Sequence, residues 1–349
     1  MSLSVVFVTH AGPAIGLGHE RRCLALASAW AAERAEIRFV IAPDDGSAAR
    51  LGRASGSLVR LGAAGVAVTA LAWDREPERA RDTLTRLAPD VLVVDSYAAS
   101  TEFLASLRET CGRLVAIDDV ADRRLPVHVV VNGGVAAESL PYERASATRF
   151  LLGARYALID PRFAAARPPR SRGRVDRVLV SLGGGRPGPA LHAALAAVET
   201  QVTDAEVDVV VGPFAGPGLP GGLRKNRLVL HRDPPDMQRL MQGADLAISG
   251  AGVTLYELAA TGTPTVAVLM ADNQAANATA FGNAGAAVLA GDAASPRLPE
   301  ALADAVGRLV ESPAHRSGLA GRARDLVDGA GAIRAAREIG GRIGSAMAR

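Results

Sequence analysis

The sequence predicts an α/β protein made of two doubly wound, Rossmann-like domains. Short apolar runs rich in valine and isoleucine recur along its 349 residues, and few of them alternate with polar positions. Such runs are typical of strands that are buried on both faces of a parallel sheet. A glycine-marked turn and an amphipathic stretch follow each run, which is the strand and helix alternation of α/β chains. The runs are residues 4–9, 37–42, 91–96, 113–119, 127–132, 177–183, 207–212, 227–231, 245–250 and 265–270.

The chain is longer than one hydrophobic core usually supports, which favours two domains. Residues 161–176 are rich in proline and arginine and lack an apolar period, so they are predicted to be a linker. This linker separates an N-terminal domain, 1–160, from a C-terminal domain, 177–331, and a final helix in 332–349 is expected to pack back on the first domain. Because doubly wound sheets bind ligands at the carboxyl ends of their strands, we expect the site in a cleft between two facing domains.

Composition argues against several classes of function. The hydrophobic content of 49% and the charged content of 21% are those of an ordinary globular protein. The net charge of +3, without a basic block, gives no reason to expect a nucleic-acid partner. The two cysteines, Cys23 and Cys111, form neither a metal-ligand spacing nor a disulfide framework, which suits a reducing cytoplasm. No apolar stretch approaches the roughly 18 residues of a membrane span, so no integral membrane association is expected.

The first glycine-rich turn follows the strand predicted at 4–9. Gly16 and Gly18 fit the dinucleotide fingerprint G-x-G-x-x-G, but Arg21 stands where the third glycine belongs. Asp44 and Asp45 do follow the next strand, near the position of a ribose-binding acid. No P-loop, zinc motif or G-x-S-x-G elbow occurs in the sequence. With these motifs excluded, the turn is interpreted as a loop whose glycines let the backbone approach a ligand. The helix N-terminus that follows it favours anions.

His19 stands at the start of this helix and has two interpretations. The positive end of the helix dipole disfavours imidazolium, so a neutral imidazole is expected near pH 7. A neutral imidazole that faces a ligand cleft is what a general base requires. The alternative is a histidine that only caps the helix or fills space, and the loop by itself does not decide between the two.

The second glycine-rich turn follows the strand predicted at 245–250. Gly250 and Gly252 precede a helix that is expected to begin near Thr254, and its exposed N-terminus suits a diphosphate. In this interpretation Glu257 accepts hydrogen bonds from the two hydroxyls of a ribose. Thr254 and Glu257 also match the capping box S/T-x-x-E, so a well-capped helix with nothing bound is the alternative.

Seven segments of the chain together resemble a known enzyme family. They are GLGHERRCLALA (16–27), VVDSY (93–97), AIDDVADR (116–123), LLGARYALIDPRF (151–163), SLGGGRP (181–187), ADLAISGAGVTLYE (244–257) and ADNQ (271–274). In this order they resemble the UDP-2,4-diacetamido-2,4,6-trideoxy-β-L-altropyranose hydrolases of pseudaminic acid biosynthesis. The most specific are the GxGH-x-x-R-C, IDD-x-ADR and LLG-x-RYALI-x-P-x-F patterns. The resemblance implies the GT-B architecture, which these enzymes share with the glycosyltransferase that makes lipid II.

The resemblance also implies a reaction and a set of site residues. Water attacks the anomeric carbon of a UDP-sugar, UDP leaves, and the configuration inverts. His19 is then the general base that activates the water, and Tyr97 and Asn273 contact the sugar or the water. Because helix N-termini can neutralise the leaving diphosphate, neither a metal nor a cofactor is expected. The implied substrate- and nucleotide-binding residues are Gly16, Gly18, Arg22, Gly183, Gly184, Gly250, Ala251, Gly252, Val253, Thr254, Glu257, Asp272 and Gln274.

Three positions, in two segments, depart from the family's pattern. The family commonly has Gly-Gly-Ser-Asp-Pro where residues 183–187 of this chain are Gly-Gly-Gly-Arg-Pro, so a small acceptor and an acid are lost and a cation is gained. Ser96 stands where the family often has histidine. Three functions therefore stay open: a UDP-sugar hydrolase, an inverting GT-B glycosyltransferase in which the same base acts on an acceptor hydroxyl, and a nucleotide-sugar-binding protein without catalysis.

Overall fold

The computed structural model contains two sheets, and every strand pairing among its described residues is parallel. The described residues are 2–11, 18–43, 66–165, 173–184, 188–212 and 222–341. The chain divides into two compact units, the first formed by Met1–Pro161 with Ala330–Arg349 and the second by Arg162–Gly329. Each unit combines one parallel sheet with helices, so the predicted α/β class with two Rossmann-like units is confirmed.

The first unit holds a seven-stranded sheet. Its strands are β1 (Ser4–Ala11), β2 (Glu36–Pro43), β3 (Ala67–Ala70), β4 (Val91–Asp95), β5 (Arg113–Ile117), β6 (Val129–Asn132) and β7 (Arg149–Leu152). Their spatial order is β3-β2-β1-β4-β5-β6-β7. The order reverses direction between β1 and β4, which is the switch point where doubly wound sheets bind ligands.

The second unit repeats this plan with a six-stranded sheet. Its strands are β8 (Arg177–Ser181), β9 (Glu206–Val211), β10 (Arg227–Arg232), β11 (Leu246–Gly250), β12 (Thr265–Leu269) and β13 (Val288–Asp292). Their spatial order is β10-β9-β8-β11-β12-β13. The corresponding switch point therefore lies between β8 and β11.

The helices follow the strands in the alternation that the sequence predicts. Those described are α1 (Gly18–Ala31), α2 (Pro77–Leu87), α3 (Thr101–Leu107), α4 (Gly188–Gln201), α5 (Met237–Gly243), α6 (Val253–Thr261), α7 (Ala275–Asn283), α8 (Leu298–Glu311), α9 (Pro313–Leu326) and α10 (Gly331–Gly340). Short 3-10 turns lie at Ala137–Ser139, Ala154–Tyr156, Pro161–Ala165 and Asp272–Gln274.

Both faces of the first sheet are buried, which explains its continuous apolar runs. On β1, Val5 and Phe7 pack against α1 and α10, whereas Val6 and Val8 face a second cluster that contains Trp73. Neighbouring side chains of a strand point to opposite faces. A strand covered on both sides therefore needs apolar residues at consecutive positions.

Three strands are absent from the apolar runs of the sequence, and all three lie at sheet edges. They are β3 and β7, at the two edges of the first sheet, and β13, at one edge of the second. Val68 of β3 is 42% exposed and Leu289 of β13 is 40% exposed. Because edge strands are only partly covered, they need no continuous apolar run, and these three lack one. The fourth edge strand, β10, does carry such a run, which is why the sequence predicts it.

The predicted linker, 161–176, has more local structure than its composition suggests. Pro161–Ala165 form a 3-10 turn whose Phe163 is buried, and β8 begins at Arg177. Residues 166–172 lie outside the described residues. The boundary between the two compact units falls at Pro161, where the predicted linker begins.

The helix α10 packs on the first unit although it follows the second in the chain. Its Ala336 and Ile339 are buried beside α1. The indole N–H of Trp30 donates to the carbonyl of Ala336 at 3.2 Å. The hydroxyl of Tyr156 donates to Oε1 of Glu338 at 2.7 Å. This helix thus completes the apolar cover on one face of the first sheet.

We predict that Gly331→Ala destabilises the first unit by about 1–3 kcal/mol, because a β-carbon there overpacks a closed contact. That carbon would lie 2.3 Å from the carbonyl oxygen of Ala157. The matched control is Gly321→Ala in α9, where a β-carbon meets nothing within 4 Å. This control should raise the free energy of unfolding, since alanine favours helix over glycine by about 0.8–1 kcal/mol. Denaturant unfolding of both variants tests the prediction, and equal effects would contradict it.

Candidate active site

The carboxyl ends of β1 and β4 bring together the polar side chains of the first unit. His19 is the second residue of α1, which follows β1, and Asp95 is the last residue of β4. Tyr97 lies in the turn that follows β4, and Asp119 follows β5. The cluster therefore lies at the topological switch point of the sheet, where the sequence predicts a ligand site.

His19 is bound to a fully buried carboxylate. Its Nδ1 lies 2.6 Å from Oδ1 of Asp95, whose side chain has no exposed surface. Nη2 of Arg22 also lies 2.9 Å from this nitrogen. A lone pair on Nδ1 would face a carboxylate oxygen at 2.6 Å, so Nδ1 carries the proton and donates to Asp95. In the neutral ring the lone pair is then on Nε2, which has no hydrogen-bond partner among the described residues.

Arg22 binds the other side of the same carboxylate. Its Nε donates to Oδ2 of Asp95 at 3.1 Å and its Nη2 donates to Oδ1 at 2.8 Å, which is the bidentate geometry typical of arginine. Burial opposes the charged form of Arg22, but Asp95 and Asp119 outweigh it and raise its pKa well above the ordinary range. Arg22 is one turn after His19 on α1, so both side chains leave the same face of this helix.

Asp95 stays ionised despite its burial. Burial raises the pKa of this carboxyl, but the charge of Arg22 and the contacts from His19 and Arg22 outweigh it, so the pKa lies below its ordinary value. The thiol of Cys23 lies 3.9 Å from Oδ2 of Asp95. Burial followed by the negative charge of Asp95 raises the pKa of Cys23 well above its ordinary range, so this cysteine is an inert thiol.

Tyr97 joins the cluster through Asp119. Its hydroxyl donates to Oδ1 of Asp119 at 2.7 Å, and Nη1 of Arg22 donates to Oδ2 of the same carboxylate at 2.5 Å. The Tyr97 ring meets the His19 ring edge-on with 4.8 Å between centroids. Tyr97 is 42% exposed, whereas His19 is buried. His19 and Tyr97, two of the three residues to which the resemblance assigns a role in the reaction, are therefore neighbours in the first unit. The third, Asn273, belongs to the second unit.

The turns that carry Tyr97 and Asp119 are held by their own contacts. Arg123 donates from Nε to the carbonyl of Ala99 at 3.1 Å and from Nη2 to the carbonyl of Ser96 at 3.2 Å, which ties the turn after β5 to the turn after β4. Oδ2 of Asp118 accepts from the backbone N–H of Ala121 at 2.9 Å and from the Tyr142 hydroxyl at 2.7 Å. The IDD-x-ADR pattern is thus a rigid turn beside the cluster.

A second histidine, His10, precedes the first glycine-rich turn. It lies in β1 and is buried. Its Nδ1 is 2.7 Å from the hydroxyl of Ser96, its Nε2 is 3.3 Å from Asp74, and its ring packs on Trp73 at 4.5 Å. Burial, only partly offset by Asp74, lowers the pKa of His10. Ser96 at the family's usual histidine position therefore serves as a partner of His10.

The second unit carries the predicted diphosphate turn. Gly250 ends β11, Ala251 is buried, and α6 begins at Val253 with Gly252 as its N-cap. A β-carbon on Gly250 would lie 2.9 Å from the carbonyl oxygen of Leu182, so only glycine fits where the ends of β8 and β11 meet. No side chain caps α6, so its first N–H groups receive no hydrogen bond from a capping side chain.

The predicted capping box is wrong. Thr254 and Glu257 lie within α6, one turn apart on the same helix, and the helix begins one residue earlier than expected. Gly252, which has no side chain, occupies the N-cap instead. Thr254 and Glu257 are both buried. The alternative in which these residues only cap the helix is thereby removed, and the interpretation of Glu257 as a ribose acceptor stays a hypothesis.

The other residues that the sequence analysis singles out lie in several places. Gly183, with φ of 109°, and Gly184 follow β8, beside the turn of Gly250. Asp272 and Asn273 are exposed in the 3-10 turn after β12. Gln274 accepts from the N–H of Met270 at 3.1 Å and packs over Gly252, so it supports the diphosphate turn from the side. Outside the described residues lie Gly16, Asp44, Asp45, Gly185, Arg186 and Pro187. Gly18, at the first turn of α1, is exposed.

Asp95 and Asp119 are the polar residues that sequence reasoning missed. Both lie in segments that the sequence singles out, VVDSY and IDD, but neither receives a role there. Their position along the sequence could have identified them, because each stands at or just beyond the carboxyl end of a predicted buried strand. A buried carboxylate at such a position needs a cationic partner, and Arg22 is that partner for both.

Metal-binding clusters and membrane-spanning helices are both absent from the described residues. In the ranges given above, no group of three or more histidine, cysteine, aspartate or glutamate side chains is arranged to hold a metal ion. Within the same ranges, no helix combines the length and the apolar character needed to cross a bilayer.

Comparison with known proteins adds to this geometry. The glycosyltransferase family 28 C-terminal domain matches residues 234–324, which include the turn of Gly250 and α6. The chain is 30% identical over 256 residues to the spore coat polysaccharide biosynthesis protein SpsG of Bacillus subtilis, and the match covers 70% of this chain and 74% of SpsG. This chain belongs to the SpsG family.

More distant matches extend the comparison. A Helicobacter pylori protein is 25% identical over 200 residues, covering 56% of this chain and 37% of that protein. It is named pseudaminic acid cytidylyltransferase and UDP-2,4-diacetamido-2,4,6-trideoxy-beta-L-altropyranose hydrolase, and this chain spans well under half of its length. MurG of Acinetobacter baumannii has a TM-score of 0.66 at 16% identity, over 96% of this chain and 99% of MurG. The calicheamicin glycosyltransferase CalG4 has a TM-score of 0.63 at 18% identity, over 98% of both chains. These neighbours establish the GT-B fold.

We predict that Asp95→Asn lowers the free energy of unfolding by about 3–5 kcal/mol near neutral pH, because it breaks a buried ion pair. The folded pKa of Asp95 is below its ordinary value of 3.8, so its contribution is complete above that value and is lost as pH falls through the folded pKa. The difference in the free energy of unfolding between wild type and variant should therefore be constant above pH about 5 and become smaller toward lower pH. Urea unfolding across this range measures it, and a gap that widens in acid would contradict the assignment.

Proposed function

We propose that this protein is an inverting enzyme that acts at the anomeric carbon of a nucleotide sugar, with His19 as its general base. The observation that carries the proposal is the pair of His19 with the fully buried carboxylate of Asp95 at 2.6 Å. A carboxylate on Nδ1 fixes the tautomer and leaves Nε2 as the basic atom. This supports a chemical role over the alternative that His19 only caps α1.

The proposed proton transfer changes the net charge of the cluster that contains His19. Asp95 and Asp119 carry two negative charges and Arg22 carries one positive charge, so the buried group is negative by one while His19 is neutral. When His19 takes a proton, the group becomes neutral. Because a net charge is costly away from water, the surroundings stabilise the imidazolium that forms in the transition state.

The second unit supports a nucleotide diphosphate as the leaving group. The N-terminus of α6 has Gly252 as its N-cap and no side chain in the capping position, so its N–H groups and helix dipole are suited to a diphosphate. The family 28 match covers this region. We assign the diphosphate to the residues Gly250, Ala251, Gly252, Val253 and Thr254, and the ribose to Glu257. UDP is the nucleotide implied by the resemblance of the sequence.

In the proposed reaction an attacking hydroxyl lies on the opposite face of the sugar ring from the diphosphate. Nε2 of His19 takes the proton of this hydroxyl as its oxygen bonds to the anomeric carbon. The bond from that carbon to the diphosphate oxygen breaks, and the nucleotide diphosphate leaves with the electron pair. Because one displacement occurs, the configuration at the anomeric carbon inverts.

We propose a sugar hydroxyl of an acceptor as the attacking group, which makes the reaction a glycosyl transfer. This choice is supported by the family 28 match and by the spore coat polysaccharide protein, whose name places it in polymer biosynthesis. Hydrolysis is the second candidate. It is supported by the resemblance of the GxGH-x-x-R-C and IDD-x-ADR patterns and by the relative whose name includes a UDP-sugar hydrolase. The two reactions share the base, the donor and the leaving group.

We predict that His19→Ala lowers kcat by about 10²–10⁴, the usual loss when a general base is removed. His192→Ala is the matched control, because His192 is exposed on α4 of the second unit, and it should keep the wild-type rate. Nucleotide diphosphate release from a panel of UDP-sugars measures both variants. A His19→Ala variant with wild-type turnover would refute the proposed base.

The attacking group is identified by running the same assay in ¹⁸O-labelled water with and without a mixture of acceptor sugars. Release that requires an acceptor, with unlabelled sugar product, supports transfer. Release without an acceptor, with label on the sugar, supports hydrolysis. Label on the phosphate would mean cleavage of the P–O bond and would contradict both candidates. Binding of UDP-sugars without any release of UDP would support a nucleotide-sugar-binding protein without catalysis.

A further inference from the structure

We propose that Asp119 is a positioning residue that joins His19 and Tyr97 into one hydrogen-bonded chain and fixes Tyr97 as a hydrogen-bond acceptor toward the substrate. The inference rests on the proposed function, because it concerns how the same site holds its substrate. It goes further in giving Asp119 a role and in stating which kind of ligand group Tyr97 recognises.

Both oxygens of Asp119 are used, and each holds a different member of the cluster. Oδ1 accepts the hydroxyl proton of Tyr97 at 2.7 Å, and Oδ2 accepts from Nη1 of Arg22 at 2.5 Å. Arg22 in turn binds Asp95, and Asp95 binds His19. The chain therefore runs from the phenol to the imidazole without a break.

The two ends of this chain also touch each other. The rings of His19 and Tyr97 meet edge-on with 4.8 Å between centroids. A shift of Tyr97 therefore changes the surroundings of His19 by direct contact and through the carboxylates. The side chains of Arg22 and Asp119 are 15% and 19% exposed, so solvent screens their pair much less than a surface ion pair.

The direction of the Tyr97 hydrogen bond limits what this residue can recognise. A phenol has one proton, and Tyr97 gives it to the carboxylate of Asp119. The oxygen can then only accept a hydrogen bond from a ligand. The complementary group on the substrate is a donor, which means a sugar hydroxyl or the N–H of an amido sugar, and a lone carbonyl oxygen is excluded.

A purely structural role for Asp119 does not account for these contacts. The turn in which it lies is already held by Asp118, which accepts from Ala121 and Tyr142, and by Arg123, which binds two carbonyls of the neighbouring turn. None of these bonds involves Asp119. Its carboxylate faces only the candidate catalytic cluster in the contacts of the described residues.

Asparagine at this position has the same shape but the wrong chemistry. Its carbonyl oxygen can accept from either Tyr97 or Arg22, while its NH₂ group must then face the other donor. If the NH₂ group faces Arg22, that contact is lost; if it faces Tyr97, it donates to the phenol oxygen, so the bond reverses and Tyr97 becomes a donor toward the substrate. In either case Arg22 keeps only Asp95 as its carboxylate partner. We therefore expect Asp119→Asn to fold normally, since its turn is held by other residues, and to lose catalytic efficiency.

The test is a double-mutant cycle of Asp119→Asn and Tyr97→Phe, with Asp122→Asn as the matched control. Asp122 is an exposed neighbour in the same turn that pairs with Arg123. We expect Asp119→Asn to lower kcat/KM by about tenfold or more and Asp122→Asn to leave it unchanged. The loss of kcat/KM in the double variant Asp119→Asn, Tyr97→Phe should be about tenfold smaller than the product of the two single losses. A nucleotide-sugar analogue that lacks the recognised hydroxyl or N–H should have a lower kcat/KM than the intact nucleotide sugar with the wild-type enzyme. With Tyr97→Phe the two compounds should have similar kcat/KM values.

Two results would overturn the inference while leaving the proposed function intact. They are wild-type kcat/KM in a folded Asp119→Asn, and fully multiplicative effects in the cycle. If Asp119→Asn lowers the unfolding temperature by more than Asp122→Asn does, the cycle is measured in the Asp119→Glu variant, which keeps the charge, and multiplicative effects there overturn the inference as well. The proposed function is tested by a different variant: it fails if His19→Ala keeps wild-type activity.

Discussion

The candidate site of the first unit depends on one buried carboxylate, Asp95. A carboxylate with no exposed surface is costly unless it is paired and hydrogen-bonded, and Asp95 accepts from both Arg22 and His19. Two helical residues one turn apart are thereby tied to the end of a central strand. The same bond fixes the tautomer of His19, so the interaction that makes the buried charge tolerable also prepares the ring for proton transfer.

The most specific sequence patterns divide into chemistry and scaffold. The GxGH-x-x-R-C and IDD-x-ADR patterns supply His19, Arg22 and Asp119 to the cluster. The LLG-x-RYALI-x-P-x-F pattern lies elsewhere. Its Gly153 has φ of 96°, which favours glycine, and its Tyr156 binds Glu338 of α10. This third pattern therefore helps to hold α10 on the first unit.

The second unit shows that residue types alone do not make a site. Its buried Asp208 accepts from Nε of Arg177 at 2.7 Å and lies 2.6 Å from Nε2 of His231, the same three residue types as in the first unit. These side chains come from three adjacent strands, β8, β9 and β10, and Arg177 and Asp208 lie away from the carboxyl edge of their sheet. Position in the fold, rather than composition, distinguishes the cluster around Asp95.

The sequence by itself determined the fold class, because strands buried on both faces require consecutive apolar residues and those runs are visible without a structure. It also determined that His19 and the turn of Gly250 deserve a functional interpretation, since glycine spacing and helix starts are local properties. The edge strands β3, β7 and β13 were not predictable in this way, because a half-exposed strand does not require a continuous apolar run and these three lack one. Only the tertiary structure decided the partners of His19. Asp95 is 76 residues away along the chain, and a hydrogen bond across that separation is set by the parallel pairing of β1 with β4.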